Sequence, residues 1–195
     1  MSAQPHDPPH DTTLVPYDLN HLYTVEEYLG LPEDDSFKYE LQDGVIIVSP
    51  RPGWNHQVLS GRLFGQIWPQ LPDDLASAPD VDVDIQLPTP VVRAPDLVVV
   101  RASALSLGTL TAGDVVLAVE ILSPGSIRKD TKDKFHEYEE AGIPNYWVVD
   151  PQSPVTATVY RLYEHGYEAS QRAEHTFTVE EPCQLTIDLD ALLPD

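Results

Sequence analysis

Glu120 stands inside VVLAVEILSP, residues 115–124, where seven of the first eight residues are apolar. An ionised carboxylate in a dry interior is costly unless a cation, hydrogen bonds or a proton compensates it. Ser123-Pro124 ends the run three residues later, so Glu120 belongs to the C-terminal end of the strand. Open α/β sheets place ligand sites at such ends. The alternative is a structural carboxylate paired with an arginine or a backbone donor. Asp96 opens a second apolar run, PDLVVVR, residues 95–101. Antiparallel pairing of 95–101 with 115–122 sets Asp96 beside Glu120 at one rim of a sheet. Two carboxylates that close repel each other unless a cation or a proton intervenes. Oxygen ligands of this kind suit Mg²⁺ or Mn²⁺, which take one or two carboxylates, several waters and a substrate phosphate.

A cation source follows directly. Arg128, Lys129, Lys132 and Lys134 fall within seven residues. Asp130, Lys134, Tyr138 and Ala141 recur at helical spacing, so one helix side carries all four. That helix leaves the strand bearing Glu120, and its first turns can lean over the strand ends. Lys134 is then within reach of an attacking water or a scissile phosphate. Its alternative role is a surface pair with Asp130, which is worth little. Ser123 is a candidate helix cap or donor to Glu120. No adjacent base is specified for a serine nucleophile. A nucleotide phosphotransferase ranks last, because no Gly-rich phosphate loop is present.

The elements that must position these groups are legible from pattern. Residues 1–20 are rich in Pro, Asp and His and read as a disordered tail ahead of one domain, 21–195. Thr24-Val25-Glu26-Glu27 matches a capping box and predicts a short helix to Gly30. Phe37–Leu41 and Val45–Val48 flank Gln42-Asp43-Gly44, a hairpin signal. Trp54, Val58, Leu59, Leu63, Phe64, Ile67 and Trp68 recur as on a helix that Pro69 and Pro72 close. His56 and Gln57 lie on it, and His56 is a peripheral site candidate. DVDVDIQL, residues 80–87, alternates as a half-buried strand whose aspartates face water. Residues 95–101 and 115–122 lack alternation and read as central strands. A helix over 130–141 stops at Gly142, and NYWVVD, residues 145–150, is a buried strand parallel to 115–122. Tyr138 and Trp147 read as core aromatics. Residues 155–163 and 167 onward form antiparallel hairpins, and 185–193 completes the domain.

Composition bounds the partners. The chain of 195 residues carries 32 acids against 11 bases, a net charge of −21. Such a surface repels a polyanion at long range. Cys183 is the single cysteine, which excludes an internal disulfide and a Cys-based metal cluster. No apolar run reaches the roughly 20 residues of a membrane helix, and the start lacks a signal-peptide pattern. A cytoplasmic location is the expectation by elimination.

PDLVVV, VEILSPGS, DTKDK and YEEAGIPNYWVVDP, in that order, resemble the Uma-two family of restriction-type endonucleases, within the PD-(D/E)XK nuclease superfamily. The resemblance spans about residues 21–190. It implies a restriction-endonuclease-like αβββαβ core in an α/β, mixed-sheet fold, here with extra antiparallel strands at the C-terminus. It also implies a divalent metal and a phosphodiester substrate, DNA. By motif position Asp96 and Glu120 are its two acids. Leu122 stands where the superfamily carries lysine; the Uma-two pattern places that lysine on the next helix, which points to Lys134, with Lys129 and Lys132 behind it. Glu40, in YELQDG, resembles the family's upstream glutamate. The implied site is Glu40, Asp96, Glu120 and Lys134, with Mg²⁺ or Mn²⁺ on Asp96, Glu120 and the Ile121 carbonyl. The acidic charge calls for weak or assisted DNA binding, through a homodimer that unites two basic clusters or through a partner. A second possibility is a catalytically weak or inactive nuclease-fold module that binds a protein.

Overall fold

The computed structural model describes residues 17–18, 20–32, 36–123 and 132–193. Local chemistry starts the elements as expected. The Thr24 hydroxyl accepts from the Glu27 amide at 3.2 Å, and the Glu27 carboxylate accepts from the Thr24 amide at 2.9 Å. This capping box opens α1 (Val25–Leu29). Asp43 and Gly44 both have positive φ, 51° and 80°. They form the two-residue turn between β1 (Phe37–Gln42) and β2 (Val45–Pro50), because left-handed central residues match the strand twist. α2 (Trp54–Ile67) follows and ends in a 3₁₀ turn containing Pro69.

The remaining elements are β3 (Leu75–Ala78), β4 (Val83–Asp84), β5 (Val92–Arg93), β6 (Leu97–Arg101), β7 (Leu110–Thr111), β8 (Val115–Ile121), α3 (Lys134–Glu140), β9 (Asn145–Asp150), β10 (Thr156–Tyr163), β11 (Gly166–Ala173), β12 (Thr176–Val179) and β13 (Leu185–Asp188). The strands form a six-stranded sheet of order β11-β10-β9-β8-β6-β3, a five-stranded sheet of order β2-β1-β5-β4-β7, and the pair β12-β13. β8 runs antiparallel to β6 and parallel to β9, with α3 between β8 and β9 in the chain. The fold is therefore the mixed α and β architecture expected, with antiparallel C-terminal strands.

Side-chain alternation divides the core. On one face of the large sheet, Leu97, Val99, Leu117, Val119 and Ile121 pack against Leu59, Leu63 and Ile67 of α2 and against Phe177 and Ile187. On the other, Val98, Val100, Ala118 and Tyr146 meet Tyr138 of α3 and Val83 and Ile85 of the second sheet. Burying each large aliphatic side chain stabilises by about 1.5–3 kcal/mol. β8 is buried along its whole length, as its unbroken apolar run predicts.

One expectation needs correction. The strand over 80–87 is regular only at Val83 and Asp84, with one further bond from the Ile85 amide to the Val91 carbonyl at 3.0 Å; Asp80 and Gln86 adopt left-handed φ of 51° and 59° on either side of it. The inward Val83 and Ile85 are nonetheless fully buried. β3, β5 and β7 are short strands that no sequence pattern announced. The described part of the helix expected over 130–141 is α3; Asp130 and the basic residues Arg128 and Lys129 lie outside the described residues, as do 1–16 and 19 of the expected tail. Among the described residues no helix is long and apolar enough to cross a membrane.

Candidate active site

Register brings the two acids together. Leu97 pairs with Val119 across β6 and β8, so Asp96, just before β6, stands level with Glu120. Alternation points both carboxylates to the face covered by α3 and the five-stranded sheet. β1 crosses the same rim from that sheet, and its Lys38 and Glu40, two residues apart, share one strand face. The first turn of α2 supplies His56 from the other side. These residues, with Ile121, Ser123 and Lys134, line a cleft of about 130 Å³.

Lys134 sits at its centre. Its residue is 4 % exposed, and Nζ lies 2.9 Å from Glu120 Oε2 and 3.0 Å from Glu40 Oε1. The Tyr138 hydroxyl, one turn on, donates to Glu120 Oε1 at 2.8 Å. Burial, reinforced by the negative charge of Glu120, pushes the Tyr138 phenol well up, so it keeps the proton it donates to Glu120. Glu120 is 2 % exposed and is held by a cation on one oxygen and a phenol on the other. That answers its placement in an apolar strand.

Asp96 has a separate set of partners. Oδ1 lies 3.3 Å from Lys38 Nζ; Oδ2 accepts from the Ile121 amide at 2.7 Å and contacts His56 Nε2 at 3.1 Å. The same His56 nitrogen lies 3.2 Å from the Ile121 carbonyl oxygen. Both oxygens are acceptors there, so Nε2 carries the proton. Burial works against the Asp96 charge, but the His56 bond, the Lys38 ammonium and the Ile121 amide outweigh it and hold the carboxyl well below the usual range. Burial likewise opposes ionisation of Lys38 and His56, yet Asp96 raises both. For Glu40, burial opposes the charge and the cations Lys134 and Arg93 overcome it, lowering the carboxyl.

Behind Glu40 lies a buttress. Arg93 is fully buried and grips Glu137 of α3 through two bonds, 2.6 Å from Nε and 2.5 Å from Nη2. Its Nη1 reaches Glu40 at 3.3 Å. This fork ties α3 to β5 and β1, and so fixes the height of Lys134 above the sheet rim.

All four expected side chains, Glu40, Asp96, Glu120 and Lys134, line this one cleft, along with Ile121. Glu40 is buried, not the exposed polar residue its strand alone allowed. Lys132 is exposed. His56, a peripheral candidate, touches Asp96 directly. Tyr138 is a core aromatic and also a partner of Glu120. Lys38, Arg93 and Glu137 had not been singled out. The period-two spacing of Lys38 and Glu40 was a usable signal; nothing local marks Arg93.

The donor set suits a hard dication in kind: two carboxylates and a carbonyl oxygen. Asp96 Oδ2 and the Ile121 oxygen already converge, since one His56 nitrogen touches both. Glu120 faces Lys134 and Tyr138 instead. Among the described residues no three His, Cys, Asp or Glu side chains are grouped as a ready metal cage. The residues fit such an ion by chemistry, with Glu120 having to exchange partners to complete the set.

Mixed sheets with a lysine lodged between carboxylates at a strand end define an α and β fold with a buried acid–lysine cleft. The family model described as "Putative restriction endonuclease", Uma2, matches residues 25–191, and the chain belongs to that family. No curated protein matches. A similar solved structure is titled a putative nuclease belonging to DUF820 from Anabaena variabilis. It is 21 % identical, with a TM-score of 0.65, and the match covers 88 % of this chain and 99 % of that one. This likeness concerns the fold.

Proposed function

We propose that the protein is a divalent-metal-dependent phosphodiesterase acting on nucleic acid, with DNA as the substrate. The observation that carries this is the Lys134 ammonium, 2.9 Å from Glu120 and 3.0 Å from Glu40, in the cleft that holds Asp96 and the Ile121 carbonyl. Family membership supports hydrolysis of this class. Mg²⁺ or Mn²⁺ would be held by Asp96, Glu120 and the Ile121 carbonyl, and would supply activation of water and neutralisation of phosphate charge. The chain's own groups do the rest. Lys134 steadies the attacking oxygen or the charge that develops on the phosphate. Lys38 places a second ammonium beside Asp96, where it can bind a phosphate oxygen. Glu40 and Tyr138 hold Lys134 and Glu120 in place, and His56 orients Asp96.

A second reading has an observation in its favour. Asp96, Glu120 and Glu40 are each already matched by Lys38, His56, Lys134 or Arg93, so their charges are satisfied without a metal. A nuclease-fold module that binds a protein partner would keep such a network for structure alone. Nicking of supercoiled DNA with Mn²⁺ or Mg²⁺ separates the two. Activity in the native chain that is lost in both Asp96→Asn and Glu120→Gln supports hydrolysis. Absence of cleavage of plasmid, single-stranded DNA and RNA with either ion overturns it and leaves the module.

A further inference from the structure

The cleft opens into a second, larger hollow. Gly53, His56 and Ser123 border both, and the second measures about 580 Å³. Its other walls are Trp54, Asn55, Leu122, Asp150, Pro151, Gln152 and Leu193. That volume falls among small-molecule sites, roughly 300–1,000 Å³, and the cleft beside it falls below them.

The lining tells what would fit. Trp54 is 81 % exposed, although an indole normally gains by burial. It stands in the first turn of α2, two residues from His56. Among the described residues the hollow has no Lys or Arg, and its one carboxylate is Asp150. The Nε2 proton of His56, at its border, is already given to Asp96 and the Ile121 carbonyl, so a phosphate gains little there. A flat, uncharged ring with N–H donors on its edge would stack on Trp54 and donate to Asp150. Asn55 and Gln152 add amides that read either donors or acceptors.

We infer that this hollow holds an unpaired nucleobase adjoining the phosphodiester in the cleft. The inference rests on the phosphodiesterase reading and names the form of its substrate: a single strand or a locally opened duplex. It also addresses the charge. The chain carries 32 acids against 11 bases, so its surface as a whole repels a polyanion. Backbone attraction is therefore weak, and base stacking, which is tolerant of sequence, supplies affinity in its place.

The test reads the Trp54 indole N–H by NMR in EDTA, with the full chain and no turnover. The resonance is assigned by its loss in Trp54→Phe. A single-stranded tetranucleotide is expected to shift it, and one made abasic at every position is not. The same four bases paired within a hairpin duplex of about ten base pairs should need at least about tenfold more material. In a cleavage assay Trp54→Ala is expected to lower kcat/KM on a single strand about tenfold to a hundredfold, with Trp54→Phe within about threefold of the native chain. A shift without any cleavage supports the base site and overturns the nuclease reading. Cleavage without a shift, or equal shifts from normal and abasic strands, overturns the base site and leaves the nuclease reading standing.

Discussion

Replacing Lys134 by Met keeps most of the side-chain volume and removes one charge from a nearly dry site. Two carboxylates, Glu120 and Glu40, lose an ammonium at 2.9 Å and 3.0 Å. Breaking a buried ion pair by removing one partner costs about 3–5 kcal/mol, because the remaining charge is stranded. Two features shape that figure here. Tyr138 still donates to Glu120, and Arg93 still reaches Glu40, so the lower half of the range is expected near neutrality. At about 2–4 °C per kcal/mol for a chain of this length, the midpoint should fall by about 6–16 °C. The loss must depend on pH. In the native protein Glu40 is held below its ordinary value, so its contribution is complete above about pH 5 and is lost as pH falls through the depressed value. In the variant, burial without the ammonium lifts a carboxyl above its unfolded value, so the penalty grows as pH rises through that window. Both effects make Lys134→Met cost more at about pH 8 than at about pH 4. Urea unfolding of native and variant chains at the two pH values measures this. An equal cost at both, or a cost under about 1 kcal/mol at the higher pH, would refute the reading of Lys134 as the counter-charge of the cleft.

Tyr138→Phe removes one hydrogen bond to a buried carboxylate and should cost about 1.5–3 kcal/mol in the same urea assay, with no change in secondary structure by circular dichroism. Native stability should fall below about pH 5 as the depressed carboxyls of Asp96 and Glu40 take protons, and the His56 contribution should be lost as pH rises above about 6.5 through its raised value; Asp96→Asn should flatten both limbs. Mn²⁺ is expected to raise the native midpoint in a saturable way, by differential scanning fluorimetry, and to leave that of Asp96→Asn unmoved. Arg93→Met strands Glu137, leaves Glu40 to Lys134 and should cost about 3–5 kcal/mol, while the Mn²⁺ shift of whatever folded protein remains persists, since Arg93 touches no expected ligand.

Much of the site was legible because its parts sit on strongly patterned elements. An unbroken apolar run such as 115–122 has to be a covered strand, and a carboxylate within it must find a counter-charge. Antiparallel pairing of two such runs determines which of their ends meet, so periodicity made Asp96 and Glu120 candidate neighbours, and the family resemblance is what marked them as the site's acids. Helical spacing put Lys134 and Tyr138 on one helix side; the resemblance singled out Lys134, while Tyr138 read only as a core aromatic. The short strands β3, β5 and β7 were not legible, because two to four residues carry no periodicity and their pairing is decided by distant partners. Arg93 belongs to that class. In sequence it is one residue of VVRAP; only the folded chain puts Glu137, 44 residues away, against the Nε–Nη2 edge of its guanidinium. Lys38 and His56 show the same division. Strand and helix periods say which face each occupies, but the pairing of each with Asp96 depends on how the small sheet and α2 close over opposite sides of the large one. Local pattern determines where side chains point, because backbone geometry repeats over a few residues. Which charges meet is set by packing between elements far apart in the chain, and that was decided only in the tertiary structure.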